Sequence, residues 1–352
     1  MTHLTRRAGL ALSLGGAASL LAGPGRAAPP DDLIERARKE GVVNSVGMPD
    51  DWANWEATWK AVTAKYGLKH TDTDMSSAEE LAKFAAERSN ASADIGDVGF
   101  DFCGVAAQRG LAAPYKPSTF DQIPEWARDP EGRWMLAYTG TIAFAVAKDV
   151  PNPPRSWADL LTGTYKVAAG DVGKASQSNA AVLACAIAMG GDEGRIDPAM
   201  DLFAKLAKQK RLLTVTALPA NMGRGEIQVG LMWDFNALSY RDKVGGGRFE
   251  AVIPSDGSVT SGYSTIINPF AKNPNAARLV REYIFGDEGQ LNLADGYARP
   301  IRVDHLTLPD ATRAKLLPTA QYAKARPINP VLWSDGAKRV PALWQEKVLT
   351  EM

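Results

Sequence analysis

Acidic and aromatic side chains follow several apolar segments of this 352-residue chain. The set comprises Asp50, Asp51, Trp52, Asp97, Trp233 and Asp234. Carboxylates attract an ammonium group by charge, and the face of a tryptophan ring attracts the same group through its quadrupole. Each of these residues also has an ordinary role, such as helix capping or core packing. If the loops converge, they form an acidic, aromatic cage for an amine, to which we add Asn236 and Tyr263 as candidates.

A run of small polar residues offers the opposite chemistry. It consists of Ser176, Gln177, Ser178 and Asn179. Free amides at the start of a helix carry partial positive charge and suit a carboxylate or a phosphate, and Lys174 and Arg224 would add to it. Simple helix capping by Ser176 or Ser178 is the alternative reading. Both poles together would fit a zwitterion or a phosphorylated amine.

Catalytic motifs are incomplete in this chain. Residues 170–175 imitate a phosphate loop, but Ala168 stands at its first glycine and Ala175 at the required Ser or Thr. Beyond residue 28 the histidines are His70 and His305, and neither has a second histidine beside it to form a zinc site. We therefore expect no catalysis, no cofactor and no metal, and an exported enzyme remains a minor alternative.

The charge balance argues against nucleic acid as a partner. The chain carries 40 basic and 40 acidic residues, so its formal net charge is zero, and a nucleic-acid-binding domain is typically strongly basic. The sequence also has neither the internal repeats nor the anchor expected of an adhesive or structural protein. A protein that binds a small solute fits this composition best.

Residues 1–28 have the features of an export signal. Arg6 and Arg7 give a positive start, residues 8–23 are apolar and residues 25–28 supply small side chains for cleavage. The apolar run is shorter than the roughly 20 residues that a membrane-spanning helix needs. The arginine pair fits a twin-arginine signal or a Sec signal. Because Pro24 stands where a lipoprotein requires cysteine, we expect an unanchored protein of the Gram-negative periplasm.

The elements that must position the polar loops alternate between strands and helices. Apolar strands are predicted at 42–46, 93–98, 141–146, 229–232 and 263–267. This alternation predicts an α/β fold with a largely parallel sheet. Because ligands in such folds lie beyond the carboxyl ends of the strands, the loops that follow these strands are the candidate site.

Local signals mark several helices. Trp55, Trp59, Val62 and Tyr66 recur at helical spacing, which predicts a buried stripe. Ser77 and Glu80 have the spacing of a capping box that opens a helix ending at Arg88. Further helices are predicted at 101–109, 178–189, 198–210 with Asp197 as cap, and from Asn273-Pro274 to Phe285.

The chain is long enough for two lobes. Without the signal about 324 residues remain, beyond the size at which a single core stops growing. We expect residues 29–140 with 262–310 to form lobe 1, residues 141–261 to form lobe 2, and residues 311–352 to form a helical segment packed on both. Two crossing segments near 140–146 and 262–267 would then form a hinge over a cleft that closes on a ligand.

The two cysteines lie in apolar helical contexts. Cys103 and Cys185 are far apart in sequence, and buried free thiols are expected. A disulfide between them stays open as an alternative, because an oxidising compartment would permit it.

Seven blocks of sequence resemble one family of proteins in the order in which they occur. They are residues 31–43, ADIGD at 93–97, RGL at 109–111, IP at 123–124, RDPEGRW at 128–134, PRSWADLL at 154–161 and GQ at 289–290. These blocks resemble solute-binding proteins of ABC importers, in the group that includes ferric-iron, phosphosugar, aminoethylphosphonate, thiamine and polyamine binders. The resemblance implies a two-lobed periplasmic-binding-protein fold of type II, with two crossover strands, that delivers its ligand to an inner-membrane permease. It also implies a monomer.

One departure from the resembling family bears on the ligand. Its iron-binding members carry two adjacent tyrosines after a strand that resembles residues 229–232, because Fe(III) prefers anionic oxygen ligands. Phe235 and Asn236 stand at those positions here, and neither supplies a phenolate. Ferric iron is therefore the alternative ligand, and a small polar organic solute with an amine or a phosphoryl group is the expected one.

Overall fold

Strands and helices alternate along most of the described chain. The computed structural model describes residues 29–352, and the predicted export signal lies outside the described residues. The strands are β1 (Val42–Val46), β2 (Lys69–Thr73), β3 (Ile95–Gly99), β4 (Trp134–Ala147), β5 (Val167–Ala168), β6 (Leu212–Leu213), β7 (Val229–Trp233), β8 (Phe249–Val252), β9 (Ser258–Ile267), β10 (Arg299–Pro300) and β11 (Ala325–Pro327). The α-helices are α1 (Asp31–Glu40), α2 (Trp55–Tyr66), α3 (Ser77–Ala86), α4 (Phe100–Gln108), α5 (Ser176–Ala188), α6 (Asp197–Lys208), α7 (Pro219–Gly223), α8 (Asp234–Val244), α9 (Pro274–Phe285), α10 (Asp287–Asp295), α11 (Asp310–Arg313) and α12 (Pro330–Lys347).

The sheet is parallel at its two ends and antiparallel in its middle. Its strand order is β2-β1-β3-β9-β4-β7-β5-β6. Parallel pairing joins β1 to β2 and β3, and β5 to β6 and β7. In contrast, β9 runs antiparallel to β3 and β4, and β4 runs antiparallel to β7. The prediction of a largely parallel sheet is therefore wrong for the middle, because the chain crosses outward on β4 and returns beside it on β9.

The longest strand connects the two halves of the sheet. Residues 134–141 of β4 pair with β9, and residues 142–146 pair with β7. One continuous strand thus belongs to both groups of strands, as expected of a crossover. The exact lobe boundaries at residues 140, 262 and 310 stay a prediction.

The helical stripe predicted on α2 is part of the core. Trp55, Trp59, Val62 and Tyr66 are all buried, and the Trp59 indole N–H donates to the Met48 carbonyl at 3.1 Å. Trp59 also stacks on the His70 ring with centroids 3.6 Å apart. This helix therefore supports the loop that follows β1.

The start of α3 differs from the prediction by one residue. Ser76 precedes the helix, and its amide and hydroxyl donate to Glu79 Oε2 at 2.9 and 2.7 Å. Both Ser76-Glu79 and Ser77-Glu80 have the spacing of a capping box, so tertiary burial decides between them. Glu80 points into the protein and is buried, and the helix ends at Ala86 instead of Arg88.

Other helix starts shift by one or two residues. The helix α5 begins at Ser176, two residues before the predicted start, and Asp197 is the first residue of α6 instead of its cap. The start of α9 at Pro274 and its end at Phe285 are as predicted. A 3-10 turn lies at Ala158–Leu161, and its Asp159 amide donates to the Ser156 hydroxyl at 3.2 Å.

The C-terminal segment is not purely helical. It contributes β11, which pairs in parallel with β9, and α12, which packs against both α4 and α6. The prediction of a helical segment is therefore incomplete, because the edge of β9 offers backbone partners that the sequence pattern does not reveal.

Cys103 and Cys185 are both buried and free, as expected. Across residues 29–352, no helix combines the length and apolarity needed to cross a bilayer.

Candidate functional site

A cavity of about 420 Å³ lies at the carboxyl ends of several strands. Its walls come from the loop after β1, the segment between β2 and α3, the end of β3 and the first turn of α5, together with side chains from α8 and β9. Six carboxyl side chains line it: Asp51, Asp74, Glu79, Glu80, Asp97 and Asp171. Within the part of the chain that the structure describes, its lining includes no Lys, Arg or His.

Two of these carboxyls, Glu80 and Asp97, are almost completely buried. Each side chain is 1% exposed, and Glu80 Oε2 accepts a hydrogen bond from the Asp97 amide at 3.1 Å. Burial and the neighbouring Asp97 raise the pKa of Glu80 well above its usual range. Burial also raises the pKa of Asp97 to about 8, although hydrogen bonding from Tyr138 opposes that rise.

Two glycines make room for the Glu80 carboxyl. A Cβ atom at Gly47 would lie 2.3 Å from Glu80 Oε1, and one at Gly96 would lie 2.5 Å from Glu80 Oε2. Gly47 also has a φ of +67°, which side-chain-bearing residues rarely adopt. The backbone at the ends of β1 and β3 is therefore built around this buried carboxyl.

Aromatic side chains form the wall beside Asp97. The Tyr138 hydroxyl donates to Asp97 Oδ2 at 2.5 Å and accepts from the Trp52 indole N–H at 2.7 Å. Trp52 meets Tyr263 edge-on with ring centroids 5.2 Å apart, and both residues line the cavity. Trp52 is thus fixed against Asp97 through Tyr138, with its ring beside the carboxyl pair.

The remaining carboxyls lie in the more exposed part of the cavity. Hydrogen bonds from Ser76 lower the pKa of Glu79, whereas burial raises the pKa of Asp74. Lys243 on α8 contacts the Asp51 carboxylate. Lys174 Nζ lies 3.5 Å from Asp171. Neither lysine lines the cavity, but each contacts one of its carboxylates, and the charge of Lys174 also helps to lower the pKa of Glu79.

The first turn of α5 closes the cavity from the opposite side. Ser176, Gln177 and Ser178 line it. The Ser176 hydroxyl donates to Asp101 Oδ1 at 2.5 Å, so a carboxyl group already lies at this helix start. Burial raises the pKa of Asp101 in spite of that hydrogen bond.

The structure brings some of the predicted site residues together. Those that line the cavity are Asp51, Trp52, Asp97, Ser176, Gln177, Ser178 and Tyr263. Asp50, Asn179, Trp233, Asp234 and Asn236 do not line it. Asp50 is exposed, next to Asp51 in the chain. The other four residues are buried in the protein, outside the lining of the cavity.

The residues behind the wall make structural hydrogen bonds. Asp234 accepts from the Thr141 amide at 2.9 Å and from the Tyr322 hydroxyl at 2.7 Å, so it ties the start of α8 to the crossover strand β4. Burial raises the pKa of Asp234 to about 6 even though both bonds oppose this. The fully buried Trp233 donates from its indole N–H to the Tyr263 hydroxyl at 3.2 Å.

Two amides hold the neighbouring backbone. Gln177 Oε1 accepts from the Trp233 amide and from Asn236 Nδ2, each at 3.0 Å. Asn179 Oδ1 accepts from the Gly173 amide at 2.8 Å. Gln177 lines the cavity, but its side-chain oxygen already accepts two hydrogen bonds from within the protein.

Sequence reasoning missed Glu80 as a site residue. It was placed in a capping box, whereas the helix begins one residue earlier and turns this side chain inward. The carboxyls of Asp74, Glu79 and Asp171 were missed as well. Asp74 and Asp171 follow β2 and β5 at positions without an aromatic neighbour, and Glu79 lies in the first turn of α3. Gly47 and Gly96 are the sequence signal that marks the space for Glu80, but only in combination with the fold.

The structure does not support a metal centre in the part of the chain that it describes. No group of three or more His, Cys, Asp or Glu side chains is arranged to hold an ion there. Phe235 and Asn236, at the positions of the family's paired tyrosines, are buried and outside the cavity. Burial lowers the pKa of His70 to about 4, and its ring lies between Ser45 and Trp59.

Comparison with known proteins identifies the class. Residues 90–326 match the family model described as bacterial extracellular solute-binding protein, and the chain belongs to this family. A curated relative, an uncharacterized protein of Haemophilus influenzae, is 28% identical over 250 residues, which cover 67% of this chain and 70% of the relative.

Solved structures of periplasmic binding proteins share the fold. AfuA from Actinobacillus pleuropneumoniae, with exogenous fructose-6-phosphate bound, has a TM-score of 0.71 at 21% identity and is covered over 98% of its length by 87% of this chain. AgtB from A. tumefaciens R10, in complex with agropinic acid, has a TM-score of 0.71 at 16% identity, with 88% of this chain and 99% of that one covered. Iron-bound HitA from Pseudomonas aeruginosa has a TM-score of 0.67 at 16% identity, with 87% and 98% covered. The two-lobed type II fold is thereby confirmed.

Proposed function

We propose that this protein is the solute-binding component of an ABC importer and that its solute is a small organic cation bearing an amine. Membership of the solute-binding family supports the first part. The neighbouring structures hold fructose-6-phosphate, agropinic acid and iron, so the fold leaves the solute open and the choice depends on the side chains of the cavity.

The observation that carries the proposal is the charge of the cavity. Six carboxyls line it, and within the described residues no basic side chain does. The Trp55 indole N–H approaches the buried Asp97 carboxyl and opposes the rise of its pKa, but Asp97 Oδ1 has no hydrogen bond of good geometry in the described part of the chain. A poorly satisfied buried acceptor is costly, and an ammonium N–H would satisfy it better. Trp52 and Tyr263 beside it supply aromatic faces that favour the same cation.

A phosphorylated solute would meet repulsion at the predicted anion site. The start of α5 holds the Asp101 carboxyl through Ser176, and Asp171 lies on the same side of the cavity. Of the two cations that would have favoured a phosphate, Arg224 pairs with Glu226 at 2.6 Å, and neither residue lines the cavity. Lys174 lies against Asp171, so its charge is opposed by a carboxylate of the cavity itself. The geometry therefore favours the amine over the phosphate, and it favours the amine over ferric iron because the described residues contain no metal ligand set.

Closure of the lobes is the proposed mechanism. Contacts join elements from the two halves of the sheet across the cavity: Ser176 with Asp101, Lys243 with Asp51 and Tyr297 with Asp242. The Lys243–Asp51 contact is an exposed ion pair, a type that contributes little stability, and this suits a cleft that must open to release its ligand. In this proposal the protein is exported to the periplasm, captures its solute as a monomer and presents the closed form to the membrane permease.

A thermal-shift screen of refolded, ligand-free protein tests the solute class. Its panel holds 1,4-diaminobutane, spermidine, choline and thiamine as cations, with aminoethylphosphonate, fructose 6-phosphate and ferric citrate as the alternatives. A ligand at 100 times its Kd adds about 2.7 kcal/mol of stability and should raise Tm by several degrees. A shift confined to the cations supports the proposal, whereas one confined to phosphorylated compounds or ferric citrate contradicts it.

Two matched variants locate the binding. Asp97→Asn removes the buried charge and should weaken the cation by on the order of 10- to 100-fold, the range of a hydrogen bond to a charged group. Asp50→Asn makes the same change at an exposed position outside the cavity and should leave the affinity unchanged. Equal effects of the two substitutions would remove Asp97 from the site.

A further inference from the structure

Glu80 and Asp97 are held as a pair without a counter-charge. The backbone amide of Asp97 donates a hydrogen bond to Glu80 Oε2 at 3.1 Å. Both side chains are almost fully buried where they line the cavity. Gly47 and Gly96 leave just the space that the Glu80 carboxyl fills. The surrounding backbone therefore accommodates this buried pair specifically, unlike a pair of acidic side chains that are close only because both lie on the surface.

The groups that face the pair are acidic or neutral on every side. From β2 and the loop after it come Asp72 and Asp74, from β4 Tyr138, from β9 Tyr263, and from α4 Asp101 and Cys103. Asp72 is itself engaged, since its Oδ1 accepts from the Ser45 hydroxyl at 2.5 Å and from the Met48 amide at 3.1 Å. No basic side chain lines this cavity in residues 29–352.

Such a pair does not hold two negative charges in the empty cavity near neutral pH. Two adjacent carboxylates repel each other, and burial disfavours each charge. Burial raises the pKa of Asp97 to about 8 and that of Glu80 well above its usual range. The ligand-free site at pH 7 therefore carries protons where the proposed ligand needs negative charge.

We propose that Glu80 and Asp97 form an exchange site in which the cationic group of the solute replaces a proton, so that capture of the solute releases a proton to the solvent. This inference rests on the proposed function. The step is a balanced ion exchange in which the solute cation enters, one carboxyl O–H ionises, and its proton leaves to water. The resulting carboxylate faces the cation, and Asp97 Oδ1, which the Trp55 indole N–H approaches without good hydrogen-bond geometry, is the acceptor.

Exchange of this kind sets specificity as well as pH dependence. A neutral analogue of the solute gains nothing by ionising the pair, so it binds no better at high pH than at low pH. A cation instead gains up to tenfold in affinity per pH unit for each proton released. The site then selects for charge and not only for shape.

Calorimetry in two buffers measures the exchange. Choline and thiamine carry quaternary nitrogen, so with these probes a released proton comes from the protein. At pH 7 the observed binding enthalpy should differ between PIPES and Tris by the difference in their ionisation enthalpies multiplied by about one proton per ligand. The same titration is made with whichever panel cation binds best, and an enthalpy independent of the buffer would overturn the exchange.

Glu79→Gln is the matched control. Glu79 lines the same cavity one residue away, but hydrogen bonds from Ser76 lower its pKa, so it holds no proton at pH 7 and its loss should leave the proton release unchanged. The double substitution Glu80→Gln with Asp97→Asn keeps the shape of the pair and removes its protons. Any residual affinity of this double variant should be independent of pH from 6 to 8.

Infrared spectroscopy of the ligand-free protein gives a readout that does not depend on finding the solute. A carbonyl band of protonated carboxylic acid should be present at pH 7, disappear when a cation binds, and be absent in the double variant. Binding of a cation without proton release leaves the proposed function intact and refutes the exchange. If the band is present and every cation of the panel fails to bind, the proposed function is refuted, and the exchange with it.

Discussion

Asp97→Asn should reduce the dependence of the ligand-free protein's stability on pH. Burial raises the pKa of this carboxyl to about 8 in the folded protein, against about 3.9 for an aspartate in an unfolded chain. Between these values the folded state holds a proton that the unfolded state has lost, so stability falls as pH rises. From pH 5 to pH 7 one proton gives a loss of about 2.7 kcal/mol, since each pH unit corresponds to about 1.36 kcal/mol.

The amide in the variant has no proton to lose, so this contribution to the slope should disappear. The parent should lose roughly 5 °C of Tm over those two pH units through Asp97 alone, at about 2 °C per kcal/mol for a chain of this size, and the variant should not. Because asparagine is neutral without taking up a proton on folding, the variant should be more stable than the parent at pH 7 while binding its cation more weakly.

Differential scanning calorimetry of refolded protein at pH 5, 6 and 7 measures this effect. Glu79→Gln is the control, because hydrogen bonds from Ser76 lower the pKa of Glu79 and the group is ionised in both states over this range. If Asp97→Asn retained the full pH dependence of the parent, the assignment of a protonated Asp97 would be wrong.

Three further substitutions test the wall, the closure and the C-terminal segment. Trp52→Leu removes the ring beside the carboxyl pair and should weaken a cation by roughly 3- to 30-fold, from about 0.5–2 kcal/mol of cation–π attraction, while binding that stays unchanged in calorimetry would exclude contact with the ring. Lys243→Met removes the contact with Asp51 and should increase the radius of gyration of the ligand-free protein in small-angle scattering, and an unchanged radius would mean that this contact does not hold the cleft. Arg326→Leu leaves the buried Glu193 carboxylate without the two hydrogen bonds, at 2.7 and 2.9 Å, that it accepts from Arg326. Because Arg326 is itself partly exposed, we expect the free energy of unfolding to fall by about 1–2 kcal/mol, visible as a lower Tm. An unaltered Tm would contradict a stabilising role of this ion pair.

Much of the fold was readable in the sequence because its signals are local. The periodic stripe Trp55, Trp59, Val62 and Tyr66, and the start of α9 at Asn273-Pro274, depend on residues within one or two turns. The capping box at α3 shows the limit of this reasoning. Two overlapping Ser and Glu pairs have the same spacing, and only the burial of Glu80 against Gly47 and Gly96 decides that Ser76 and Glu79 form the box.

The candidate site was predicted in part for a similar reason. Loops that follow strands converge at one edge of a sheet, so Asp51, Trp52, Asp97 and Ser176 were expected near one another. The direction of each side chain depends on the packing around it. Asp234 was predicted to bind the ligand because it follows a strand at the cleft. Its carboxylate instead accepts hydrogen bonds from the Thr141 amide of the crossover strand and from the Tyr322 hydroxyl.

By itself, the sequence determined the alternation of strands and helices, the crossing of the chain between two lobes and the resemblance to solute-binding proteins. Hydrophobic periodicity, helix caps and the order of the sequence blocks are properties of residues along the chain, so they can be recognised without knowledge of the structure. Only the tertiary structure decided which charges share the cavity, because the pairing of Glu80 with Asp97 and of Ser176 with Asp101 joins residues from different elements. Electrostatic energy depends on distance and burial, and neither is written in the spacing of residues along a chain.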